Sequence, residues 1–139
     1  MSLPKPVAIA LSSIFAGAGA GGAVAALFAW VAWQQFQFLS VFGDPANTVF
    51  LGWAVGAIAA FALSWRLSSS ITETWRRAAM AVTAALGAVG AGGGAQGIGM
   101  ASMMSMSPLA NYMLPGYCLV LAAVGFFAKK MNRKANAAP

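Results

Sequence analysis

The sequence predicts an all-α integral membrane protein: a four-helix transmembrane bundle with both termini on the cytoplasmic side. Three observations predict it. First, 60% of the 139 residues are hydrophobic and only 7% are charged, whereas a soluble domain carries about 25% charged residues. Second, four apolar stretches each reach the roughly 20 residues that a helix needs to cross a bilayer. Third, the eight basic residues divide one way between the connections. Length and composition fit one transmembrane domain over residues 1–139, closed by a cytoplasmic tail at 132–139.

The first span is expected at residues 6–36. Lys5 followed by "PVAIALSSIFAGAGAGGAVA" also has the form of a signal peptide, with a basic start, an apolar run and small residues after it. The apolar run continues to Trp33, which is long enough to span, so a first transmembrane helix is the expectation. The second span is expected at 45–67. Asp44 offers an N-cap oxygen, and Pro45 suits the first helical position because its missing N–H has no partner to lose there.

The third span is expected at 72–104, with Ser70 and Glu73 spaced as a capping box. The fourth is expected at 108–131, where Ser107-Pro108 repeats the Asp44-Pro45 arrangement. Pro115 falls inside it and predicts a kink, because proline removes an i→i−4 hydrogen bond. The final "ANAAP" reads as a frayed end.

Four spans place the N-terminus, the second connection and the C-terminus on one side. Lys5, Arg66, Arg76, Arg77, Lys129, Lys130, Arg133 and Lys134 all fall there, and Asp44 is the only charge on the other. Lysine and arginine are retained on the cytoplasmic side, which predicts N-in and C-in and suggests a bacterial inner membrane. Trp30, Trp33, Phe36 and Phe38 fall near one interface, and Trp65 and Trp75 near the other, as aromatic belts do. The net charge of +6 therefore needs no nucleic acid. Arg76, Arg77, Lys129, Lys130, Arg133 and Lys134 are expected at anionic lipid headgroups.

Chemistry is sparse. Histidine is absent, and Cys118 is the one cysteine, so no intrachain disulfide can form. Asp44 and Glu73 are the only acidic side chains, and both fall at helix starts rather than inside a span, where a proton or cation relay would need them. A serine or cysteine nucleophile would need a base in reach, and the lysines lie at the ends. The expectation is a non-catalytic protein with no cofactor.

Glycine is abundant. Gly17 and Gly21, Gly52 and Gly56, and Gly90, Gly94 and Gly97 recur at helical spacing. Helices associate in lipid where small residues let backbones approach, so these seven are expected to pack helices. A phosphate-binding loop is excluded by context, since the glycines lie inside apolar spans with no lysine after them. The glycine-rich third helix resembles the inner helix of the rotor-ring proteolipids of ATP synthases. That family needs a mid-membrane carboxylate, and this chain has none. "AGAGAGGAVAALF" resembles the packing helix of conjugative pilins, which are two-helix proteins, whereas four spans are expected here. Neither resemblance transfers a functional residue.

Two further groups stand out. Met100, Met104, Met113 and Cys118 carry soft sulfur and gather near the outer ends of the last two spans. Such ligands select Cu(I), although methionine also serves as a flexible apolar filler. Gln96, Ser102 and Asn111 would either hydrogen-bond between helices or line a narrow polar path. The leading expectation is a small structural or accessory subunit, packed by glycine faces against itself or other membrane subunits. The alternatives are a small oligomeric channel or transporter, for a neutral solute or a soft metal, and a pilin-like or secretion-channel subunit.

Overall fold

The computed structural model describes residues 4–37, 45–105 and 109–137, and side chains within them except at 36, 37, 45 and 109. It is all-helical. Four helices follow one another: α1 (Lys5–Gln37), α2 (Pro45–Leu67), α3 (Thr74–Met104) and α4 (Leu109–Ala137). Each is long and apolar enough to cross a membrane. The Asp44 and Ser107-Pro108 caps and Phe38 lie outside the described residues.

α1 is the centre. It packs along α2, α3 and α4, whereas α3 and α4 meet only sparsely. The core explains how one helix can hold three neighbours. Among the described residues, every buried hydrophobic residue apart from Ile9, Val49 and Leu114 is alanine. The large side chains, such as Phe15, Ile58, Leu86, Leu119 and Phe126, point outward. A soluble core buries its large residues because water drives them in. Lipid tails supply no such drive, so helices associate by close backbone approach and large apolar groups meet the tails.

The helix starts and ends differ from expectation at two places. No capping box forms at Ser70 and Glu73. Ser68 to Ile71 form a turn, closed by the Ile71 amide donating to the Ser68 carbonyl at 3.0 Å. This delays α3, so Glu73 occupies the N-cap position and makes no side-chain cap bond. Its carboxylate reaches forward to Arg76 Nε at 3.2 Å instead. At the other end, α4 runs past residue 131 to Ala137, through most of the stretch expected as a frayed tail. It continues because Asn132 finds partners on other helices. Pro115 lies inside α4 without ending it.

Candidate functional site

One end of the bundle carries all the basic residues, at the start of α1, the end of α2, the start of α3 and the end of α4. Asn132 ties these ends together. Its side-chain amide donates to Ser12 Oγ at 3.0 Å, Ser13 Oγ at 3.3 Å and the Leu67 carbonyl at 3.2 Å. Ser12 and Ser13 donate in turn to the Ile9 carbonyl. Asn132 Oδ1 accepts from Asn136 at 2.9 Å. The residue is 2% exposed, and this polar knot joins α1, α2 and α4.

Arg77 does the same for α2 and α3. Its Nη2 donates to the Trp65 carbonyl at 2.6 Å, and its guanidinium lies 4.1 Å from the centre of the Trp65 ring. The carbonyl belongs to the last turn of α2, where the helix dipole is negative, so a cation there is favourable. Arg77, half-buried, thus clasps α2 to α3. Arg76, Lys129, Lys130, Arg133 and Lys134 are exposed around the same end. Arg76 pairs with Glu73 and lies 5.5 Å from the Trp75 ring centre.

The seven glycines divide. A methyl group placed on Gly17 would sit 2.6 Å from the Ala60 carbonyl, and one on Gly56 would sit 2.5 Å from the Gly21 carbonyl. Gly52 lies under the Phe28 side chain. Gly94 leaves room for the Tyr117 hydroxyl, 2.6 Å from where its Cβ would be, and that hydroxyl donates to the Ala91 carbonyl at 2.9 Å. Gly90 and Gly97, with Gly93, have nothing within 4 Å of an added Cβ. They lie at i, i+3 and i+7 on α3, on the side away from the buried row of Ala84, Ala88, Gly92 and Ala95. Gly92 was not singled out by spacing, yet Trp53 Cδ1 would stand 2.6 Å from its Cβ. A second tight crossing, Gly19 against Gly125, joins α1 to α4.

Two of the three polar-path residues make separate contacts. Ser102 Oγ accepts the Ala110 amide at 3.2 Å, closing the α3–α4 connection. Asn111 Oδ1 accepts from Gln34 Nε2 of α1 at 2.8 Å. Gln96 is half-buried on α3. Among the four sulfur residues, Cys118 turns toward α1 and the three methionines are exposed. Cys118 donates to the Ala23 carbonyl of α1 at 3.2 Å. Met104 is 86% exposed, and Met100 and Met113 also point outward.

Asn132 does not stand out in sequence, because it falls among Lys129, Lys130, Arg133 and Lys134, which read as a headgroup-facing end. A readable signal existed. Leu114, Cys118, Leu121, Gly125, Ala128 and Asn132 recur at alternating four- and three-residue steps, one continuous helix face. No family model, curated protein or solved structure matches this chain.

Proposed function

We propose that this chain is a non-catalytic structural or accessory subunit of a membrane assembly, joined to a second copy or another membrane subunit through the outward face of α3. One observation carries the reading. Inside the bundle, glycines admit a neighbouring backbone or side chain, but Gly90, Gly93 and Gly97 admit nothing from their own chain. Each interior glycine costs a helix roughly 0.5–1 kcal/mol relative to alanine. A groove of three such residues on a lipid-facing side is what a neighbouring helix needs to pack closely. The hydrogen bonds that Ser102, Asn111 and Cys118 make within the bundle favour this reading over conduction or copper handling by a single chain. The one-sided charge supports a bacterial inner membrane with the basic end in the cytoplasm, where the exposed lysines and arginines meet anionic headgroups.

Native mass measurement in mild detergent, with identification of every co-migrating chain, tests the reading. The expected result is an oligomer or a mixed complex that Gly93→Leu breaks without unfolding the monomer. A monomer alone, or an assembly indifferent to Gly93→Leu and Gly97→Leu, overturns it.

A further inference from the structure

α3 and α4 close over α1 only in the half of the bundle away from the basic end. At Gly22, an added methyl would meet Ala91 of α3 at 2.8 Å and Leu121 of α4 at 3.5 Å. The Tyr117 and Ser102 hydrogen bonds join α3 to α4 in that half. Toward the basic end, Val7, Leu11 and Phe15 of α1 come to the surface, 43%, 42% and 54% exposed. Two clefts meet at Leu11. One, of about 590 Å³, lies between α1 and the start of α3 and includes Lys5, Glu73, Arg76 and Met80. The other, of about 550 Å³, lies between α1 and α4 and includes Phe15, Val124, Phe127 and Met131. Together they form a wedge that opens sideways.

The wedge has the polarity of an amphiphile. Its deep part is apolar, and cations collect at its basic end. Lys5 on α1 and Arg76 on α3 line it, while Lys134 follows Phe127 and Met131 on α4 at helical spacing and is exposed. Glu73 is the only acidic side chain among the described residues, and Arg76 holds it. From Lys5 to Phe15 α1 rises about 15 Å, half of the roughly 30 Å hydrocarbon core and so one leaflet. A second copy is a poor occupant, because it would bring the same basic end against these cations.

We propose that this wedge seats one anionic phospholipid of the leaflet at the basic end. Its acyl chains lie along Leu11 and Phe15, and its phosphate meets Lys5 and Arg76. The wedge is separate from the outward glycine row of α3, so a lipid can occupy it whether or not the chain assembles.

The full chain is reconstituted in vesicles of equal phosphatidylglycerol and phosphatidylcholine, extracted in mild detergent and weighed by native mass spectrometry. The expected species keeps one phosphatidylglycerol per chain in preference to phosphatidylcholine. The Lys5→Gln/Arg76→Gln variant should lower that retention about tenfold. Lys129→Gln, two residues from Phe127 and so on another side of α4, should leave it unchanged. Equal retention of the two lipids by the native chain overturns the proposal, and this comparison decides even if the double variant misfolds. Undiminished retention in a folded double variant overturns it too, as does a lipid-free dimer that Leu11→Glu splits.

Discussion

Gly21 of α1 and Gly56 of α2 meet backbone against backbone. A methyl group on Gly56 would lie 2.5 Å from the Gly21 carbonyl oxygen, and one on Gly21 would also strike Ala60 and Ala88. The central helix therefore touches α2 and α3 at one level, through residues without bulk.

Gly56→Ala should destabilise the monomer by about 1–3 kcal/mol, the usual cost of inserting a methyl group where no space exists. Gly93→Ala meets nothing within 4 Å, so the same added methyl should be neutral or stabilising by up to about 1 kcal/mol through helix propensity. Unfolding titrations in mixed micelles of sodium dodecyl sulfate and a mild detergent measure both. Equal effects at the two positions would show that the α1–α2 crossing does not control stability.

The four helices were legible in sequence because hydropathy and length decide them, and lipid enforces helix wherever a span exists. The orientation of the α3 glycines was not legible. Small residues occupy both sides of that helix, so Ala88, Gly92 and Ala95 face inward while Gly90, Gly93 and Gly97 face outward with little contrast in hydrophobicity. Only the neighbours distinguish them, chiefly Trp53 over Gly92. Glu73 misled for another reason. The capping-box spacing is met, but the Ser68–Ile71 turn moves the helix start past it. The sulfur residues shared a sequence neighbourhood, yet the helical phase turns Cys118 toward Ala23 and Met104 away from the bundle.

Asn132 tests the polar knot. Asn132→Ala removes the donor to Ser12, Ser13 and Leu67, while both serines keep the Ile9 carbonyl. Interhelical hydrogen bonds in membranes contribute about 0.6–2 kcal/mol, and a loss in that range is expected. Asn132→Asp should cost more, although it keeps the shape. A carboxylate cannot donate, so it would face the Leu67 carbonyl oxygen, and its charge would be buried at a position only 2% exposed. The same unfolding titration ranks the variants. If Asp were tolerated better than Ala, the donor role of Asn132 would be wrong.

The final prediction concerns which way the bundle faces. The Asn132 bonds to Ser12, Ser13 and Leu67 place the ends of α1, α2 and α4 together, and Arg77 brings the start of α3 to the same end. All eight basic side chains thus share one end, and retention of lysine and arginine in the cytoplasm predicts that this end faces inward. Cysteine labelling reads the direction. Cys118→Ser gives a background without the native thiol, and serine can keep the hydrogen bond to the Ala23 carbonyl that Cys118 makes. Into it go Asn47→Cys, exposed near the start of α2, and Lys134→Cys, exposed near the end of α4. A membrane-impermeant maleimide added to intact cells should label position 47 and should reach position 134 only after the membrane is opened. The reverse pattern would mean that the basic end faces outward, and would remove the charge argument for the cytoplasmic side.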